Sequence, residues 1–293
     1  MRSTPMLPAW PLIDAIVDRA LEEDLAGGDL TTDACVEPHV RARATFVARG
    51  ELVVCGLDVA LRTFARLAGP DPSDLRTESR VADGTRAKKG DALLRLEGAA
   101  RTLLLGERVA LNLVQRMSGV ATLTRRHVDA LAPGGRTRVA DTRKTTPGLR
   151  VLERYAVRCG GGHNHRDMLG SAVLIKDNHI VAAGGVRAAI ERARASAPHT
   201  TKIECEVETF PQLEEALAAG VDVVLLDNMD DATTGAALGI VRARVGATVI
   251  VEASGGITFE RIRSLSALGV DVISVGALTH SAPAADVALD LAL

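Results

Sequence analysis

The chain has 293 residues, 47% hydrophobic and 25% charged, a length and composition suited to one large or two smaller globular domains with a sizeable core. A formal net charge of −2 without a basic tract, and only 2% aromatic residues, argue against general nucleic-acid binding and against base stacking. No apolar run approaches the roughly 20 residues that span a bilayer. Pro5, Pro8 and Pro11, followed by Asp14, Asp18, Glu22 and Glu23, do not make a secretory leader. A cytoplasmic protein with no membrane partner is therefore expected.

In chain order, Pro11 to Leu25 predicts a helix with Leu12, Ile13, Ile16, Val17, Ala20 and Leu21 on one face. Asp24 to Thr32 is a turn-rich link. Alternating stretches at Ala42 to Ala48, Leu52 to Cys55 and Ala92 to Leu96 predict a small sheet with one solvated face, and a helix is expected around Val59 to Leu67. Leu103 to Met117 predicts a long helix, and a second follows to Leu131. Strands and helices then alternate. The strands are Arg138 to Asp141, Ala172 to Lys176, Lys202 to Val207, Val221 to Asp227, Thr248 to Glu252 and Val270 to Val275. Helices such as Val186 to Ser196, Pro211 to Ala219 and Phe259 to Leu268 lie between them. Repeated β-α units with apolar strands predict a parallel sheet. An α/β barrel fits best, although the clear strands are fewer than a complete barrel contains. A further strand is sought around Tyr155 to Val157 or near Met117. A doubly wound sheet is the alternative, but no G-x-G-x-x-G follows its first strand.

Almost every strand ends in reactive groups. The ends carry Asp141, Thr142, Arg143 and Lys144; Lys176, Asp177, Asn178 and His179; Glu204, Glu206 and Glu208; Asp227 and Asn228; Glu252, Ser254, Gly255 and Gly256; and Ser274, Gly276 and Ala277. Barrel active sites lie at the C-terminal ends of the strands, so this register predicts a catalytic mouth rather than a set of solvated caps. Arg143, Lys144, His165, Arg166 and Lys176 outnumber the acids expected to pair with them, which points to an anionic substrate. Glu206 and Asp227 end adjacent strands and are the expected Mg²⁺ ligands, since this ion takes few protein carboxylates and keeps its water. Salt bridges to Lys144 or Lys176 are the bland alternative for both acids. Ser254, Gly255 and Gly256, with Gly276 and Ala277, end the last two strands, where barrels often hold a phosphate on backbone N–H groups.

Residues 160–166 (GGGHNHR) read as a loop carrying substrate contacts. Cys159, His163 and His165 match no standard zinc spacing and lack an evident fourth ligand. Cys35, Cys55, Cys159 and Cys205 form no C-x-x-C pair and are read as free thiols. Lys144 or Lys176 as a Schiff-base lysine would make the chain a barrel aldolase instead.

The motifs DTRKTTPGLR (from Asp141), GGHNHR (from Gly161), LIKDNHI (from Leu174), ECEVE (from Glu204), LLDNM (from Leu225), EASGGI (from Glu252) and SVGALTHSAP (from Ser274) resemble those of the quinolinate phosphoribosyltransferase family. So do EEDLAGGDLTTDA (from Glu22) and GERVALNLVQRMSGVAT (from Gly106). The resemblance runs in order along nearly the whole chain. It implies an α/β fold in which an incomplete (β/α) barrel, residues 119–282, follows an N-terminal α/β sandwich domain, residues 1–118, joined by a C-terminal helix at 283–293. It also implies a homodimer, or a hexamer built from it, in which Arg108 reaches across the interface. Arg143, His165, Arg166 and Lys176 would then bind quinolinate, with Arg108 from the neighbour and Thr142 beside them. Lys144, Glu206 and Asp227 would face the ribose and pyrophosphate of phosphoribosyl pyrophosphate with Mg²⁺, as the catalytic set. Ser254, Gly255, Gly256, Gly276 and Ala277 would hold the 5-phosphate. The nearest rival is a related phosphoribosyltransferase, such as the molybdenum-operon paralogues, acting on another acidic base.

Overall fold

A computed structural model describes residues 5–69 and 74–293. The chain divides into two compact units. The first holds residues up to Arg125 together with Thr145–Gly161 and Ala277–Leu293; the second holds Arg126–Lys144 and Gly162–Gly276.

The first unit opens with helix α1, Trp10–Leu25, which has a proline in its first turn and buries Ile13, Val17 and Leu21 at four-residue spacing. The link expected at 24–32 contains the start of a second helix, α2, Leu30–Cys35. Asp29 caps it by accepting from the N–H groups of Thr31 and Thr32. There follow β1 (Arg41–Ala48), β2 (Leu52–Val53), α3 (Leu57–Leu67), β3 (Leu75–Arg80), β4 (Arg86–Ala87), β5 (Ala92–Ala99) and α4 (Ala100–Asp129). Ala42, Ala44, Phe46 and Ala48 alternate inward on β1 and share a core with Phe64, Leu94, Leu96 and Leu103. Phe46 meets Phe64 edge to face at 6.1 Å.

The two helices expected between Leu103 and Leu131 are one, because Ser118 and Gly119 continue the turn. Ser118 knits α4 to the loop after β2: its Oγ accepts from Cys55 N–H at 2.9 Å and donates to Cys55 O at 3.1 Å. Gly119 is needed because the backbone of Pro283 crosses where a Cβ would stand.

Onward run β6 (Arg138–Ala140), α5 (Arg150–Cys159), β7 (Val173–Ile175), α6 (Asp177–Ala183), α7 (Val186–Ser196), β8 (Ile203–Val207), α8 (Phe210–Ala218), β9 (Val223–Asp227), α9 (Asp231–Val245), β10 (Ile250–Ser254), α10 (Arg261–Leu268), β11 (Val272–Ser274) and α11 (Ala277–His280). The parallel strands form one sheet in the order β6-β11-β10-β9-β8-β7. The first two strands in sequence thus stand at opposite ends of the order, as in a barrel left open between them. The strand sought at Tyr155 to Val157 is not there, since those residues lie inside α5. In its place His163 makes a single parallel bridge to Ala140. The result is a partial (β/α) barrel. After β8 and β9 the helix starts within a few residues because a cap is at hand: Thr209 with Gln212 for α8, and Asp230 for α9.

The C-terminus corrects an expectation. Residues 283–293 do not form a helix. Val287–Ala292 is β12, antiparallel to β1, and completes the sheet β12-β1-β5-β3. Val287, Leu289 and Leu291 alternate with polar or small residues, and β1 offers an edge whose backbone groups need partners. Arg49 then pairs with Asp290 at 2.7 Å. The unit borders also differ from 1–118 and 119–282, since 119–125, 145–161 and 277–282 group with the first unit.

Candidate active site

The strands of the second unit place their C-terminal ends around a cavity of about 310 Å³. The register explains the composition of its wall. Glu206 lies beside Leu225, and Leu225 beside Glu252. Two residues further along, Asp227 lies beside Ser254. Because side chains two apart share a face, these polar groups point to the same side.

Thr142, Arg143, Lys144, His165, Arg166 and Lys176 line the cavity, as do Glu206, Asp227, Ser254 and Gly255. Gly256 and Gly276 do not line it. Arg108 and Ala277 belong to the first unit, where Arg108 is exposed on α4. Glu252 and Ser274, which the strand-end pattern included without an individual role, also line the cavity.

Arg143 and Arg166 share this space. Burial, and then the charge of Arg143, pull the Arg166 guanidinium below its usual range, while Glu204 acts in the opposite direction. Arg166 Nη1 is fixed by donating to Ala172 O at 2.9 Å. Two arginines that repel each other in a half-buried cavity favour an anion between them.

The loop bearing His165 and Arg166 is tied down by Asp141, whose side chain is fully buried. One Asp141 oxygen accepts from Asn164 Nδ2 at 2.7 Å and the other from His165 N–H at 2.8 Å. The backbone adds two bonds, His163 N–H to Val139 O at 2.8 Å and Asp141 N–H to His163 O at 3.1 Å. The sequence signal for Asp141 was an acid at the end of an apolar strand, but its partners lie more than twenty residues away.

His165 Nε2 stands 3.2 Å from Glu204 and 3.4 Å from Glu252. Its Nδ1 accepts from the N–H of Arg166 at 2.7 Å. These contacts compete: the amide favours a bare Nδ1 and a neutral ring, while the carboxylates favour the cation. Burial lowers the His165 pKa, but hydrogen bonds to Glu204 and Glu252 outweigh it and push the value up to about 10. Two buried anions act more strongly than one backbone dipole, so the upward direction stands. In either charge state Nε2 carries the hydrogen that faces the glutamates. Burial, countered in part by His165, raises the Glu204 carboxyl above its ordinary value.

Lys176 Nζ meets Glu206 Oε2 at 2.8 Å. Of the three glutamates on that strand end, Glu204 and Glu206 are buried and Glu208 is exposed. Asp227 accepts from Asn228 Nδ2 at 2.6 Å. The turn after β10 needs glycine at 255. Its φ is +79°, and a Cβ there would stand 2.6 Å from Asp227 Oδ1 and collide with Asn228 Oδ1.

Among the described residues, three groupings could hold a metal. Glu206 and Asp227 offer two hard oxygens on the open cavity, a donor set that suits Mg²⁺ with water and phosphate completing the shell. His165, Glu204 and Glu252 lie close enough for a metal but are engaged with one another. Cys55, Asp83 and Cys159 cluster in the first unit, where Asp83 already accepts from Tyr155 and from Gly56 N–H. The four cysteines are free thiols.

The quinolinate phosphoribosyl transferase N-terminal domain matches residues 29–118, and the C-terminal domain of the same family matches residues 120–290. The chain belongs to the quinolinate phosphoribosyl transferase family. Among relatives, a nicotinate-nucleotide pyrophosphorylase [carboxylating] of Mycobacterium leprae (strain TN) is 45% identical over 277 residues, covering 94% of this chain and 95% of that protein. A protein of the same name from Homo sapiens is 39% identical over 284 residues, covering 94% and 91%. Among solved structures, NadC from Streptococcus pyogenes is similar with a TM-score of 0.90 at 40% identity, covering 99% of each chain. Family membership accounts for both the partial barrel and the N-terminal sheet unit. No helix among the described residues is long and apolar enough to cross a membrane.

Proposed function

We propose that this protein transfers the phosphoribosyl group of phosphoribosyl pyrophosphate to quinolinate, with loss of carbon dioxide, giving nicotinate mononucleotide and pyrophosphate in NAD biosynthesis. The observation that carries this reading is the cavity shared by Arg143 and Arg166 with His165 and Lys176, beside a glycine turn at Gly255. A base with two adjacent carboxylates answers the arginines bidentately, and a phosphate answers the turn.

Arg143, His165, Arg166 and Lys176 bind quinolinate, with Thr142 beside them. Ser254, Gly255 and Gly256, with Gly276 and Ala277 by motif, hold the 5-phosphate. Lys144 lies on the cavity wall, where an ammonium offsets the charge of the departing pyrophosphate. Glu206 and Asp227 face the ribose, on which positive charge develops as the bond to pyrophosphate breaks. The pyridine nitrogen attacks with its own lone pair, so no protein nucleophile or general base is required, and the protein's contribution is orientation and electrostatics. After transfer, the positively charged ring nitrogen stabilises the electron pair left at C2 when carbon dioxide departs, and that pair then takes a proton from solvent to give the C–H of the product. Mg²⁺ held by Glu206 and Asp227 would supply Lewis-acid neutralisation of the pyrophosphate oxygens.

The active form proposed is a cytoplasmic homodimer, or a hexamer of three such dimers, in which Arg108 of one subunit completes the quinolinate site of the other. The exposure of Arg108 leaves it available for this. Specificity follows from charge count: nicotinate, with one carboxylate, leaves a partly buried cation without its counter-ion. At Lys176 the aldolase alternative is disfavoured, because its amine is ion-paired with Glu206 at 2.8 Å.

The test uses quinolinate labelled at the 2-carboxylate, with phosphoribosyl pyrophosphate and Mg²⁺. Labelled carbon dioxide released in step with nicotinate mononucleotide, and only when all three are present, is expected. No release from folded protein would overturn the reading and direct attention to other acidic bases.

A further inference from the structure

We infer that Glu252 and Glu204 are positioning residues of the dicarboxylate site, holding the His165 ring by Nε2 while Ser274 holds Glu252. The inference rests on the quinolinate reading above and deepens it.

Two buried carboxylates, Glu252 on the cavity wall and Glu204 behind it at His165, are unexpected beside a pocket for a dianion. Each loses hydration, each repels the other, and both repel the substrate. Glu204 lies on β8 and Glu252 on β10, with β9 between them. Both nevertheless converge on a single ring nitrogen, at 3.2 and 3.4 Å. Glu252 is itself oriented, since Ser274 Oγ on the next strand donates to its Oε1 at 2.5 Å. Three strands of the barrel floor therefore fix one histidine on a loop. Without them the ring loses the partners of its Nε2 and keeps the bond that its Nδ1 accepts from the Arg166 N–H, so its orientation is less firmly fixed. Arg166 also meets the ring, its backbone N–H donating to Nδ1. Fixing His165 therefore also steadies the backbone from which the Arg166 guanidinium projects.

The sign of the effect discriminates. If Glu252 were only an anion near an anionic substrate, removing its charge should tighten quinolinate binding. If it positions His165, removing its charge should weaken binding. Glu252→Gln keeps the shape and an acceptor but loses the charge-assisted hydrogen bond. The Michaelis constant for quinolinate should rise roughly tenfold, while that for phosphoribosyl pyrophosphate and the melting temperature stay unchanged. Ser274→Ala keeps both carboxylates and should shift the same constant in the same direction by less. Glu252→Ala should be worse than Gln, so that Gln counts as a partial rescue.

A quinolinate constant that falls or does not move in folded Glu252→Gln overturns the inference. So does a parallel rise in both Michaelis constants with a lower melting temperature, which would mark a structural role alone. If Glu252→Gln does not fold, Ser274→Ala decides by the same criteria. Wild-type protein assayed alongside separates the two levels. Failure of wild type to release carbon dioxide sinks the quinolinate reading itself. Wild-type turnover with an unaltered Glu252→Gln sinks only the positioning role.

Discussion

Replacing Asp141 with alanine should unfasten the loop that carries His165 and Arg166 and cost stability as well as substrate affinity. Asp141 is wholly buried, and its carboxylate accepts two hydrogen bonds from that loop, at 2.7 and 2.8 Å. Hydrogen bonds to a charged group are each worth about 1.5 to 3 kcal/mol. Asn164 and His165 are both half-buried, so water can recover part of what is lost. A net loss of about 3 kcal/mol follows from these terms after the desolvation cost of the lost carboxylate is set against them. In urea this corresponds to a fall in the unfolding midpoint on the order of 1 M. The Michaelis constant for quinolinate should rise as well, because His165 and Arg166 lose their anchor, and that for phosphoribosyl pyrophosphate should change much less. Urea denaturation followed by circular dichroism, with steady-state kinetics in both substrates, measures both effects. An unchanged midpoint with unchanged quinolinate kinetics would refute the argument that this carboxylate holds the loop.

Other consequences follow from the same geometry. The His165 pKa is pushed from 6.5 to about 10 in the folded chain, so its contribution to stability is complete below the unfolded value and is lost as pH rises through the folded value. The stability difference between wild type and His165→Phe should therefore shrink between about pH 6 and pH 10, and a difference that grows with pH would contradict the sign. Gly255→Ala forces a side chain into a left-handed conformation and against Asp227 and Asn228. It should cost about 1–2 kcal/mol of stability and raise the Michaelis constant for phosphoribosyl pyrophosphate, with little effect on quinolinate. Equal effects on both substrates would argue against a phosphate turn. Chelation should abolish turnover and added Mg²⁺ should restore it, with Asp227→Asn requiring more of the ion. Full activity in excess chelator would remove Glu206 and Asp227 from that role.

Much of the site was legible from the chain alone because the relevant pattern is local. In a barrel, each strand delivers its C-terminal end to the same mouth, so an apolar run followed by Arg143 and Lys144, by Lys176, by Glu206 or by Asp227 announces a site without any knowledge of which strands are neighbours. Gly255 was legible for the same reason, as a strand-end glycine where a barrel holds a phosphate on backbone N–H groups, while the lack of room for a side chain there came from the structure.

The support behind these residues was not legible. Asp141 and His165 are 24 positions apart, His165 and Glu204 are 39 apart, and Glu252 and Ser274 are 22 apart. Such pairs become neighbours only through the order β6-β11-β10-β9-β8-β7, which no local periodicity encodes. The C-terminal segment shows the same limit from the other side. Residues 287–292 are short enough to suit either a helix or a strand, and the open edge of β1, more than two hundred residues earlier, decided for the strand. Local sequence determined where the reactive groups stand along each strand, through alternation and turn chemistry. The tertiary structure decided which buried acids hold which cations in place, because a buried charge is tolerated only where a partner from elsewhere in the chain is brought within hydrogen-bonding reach.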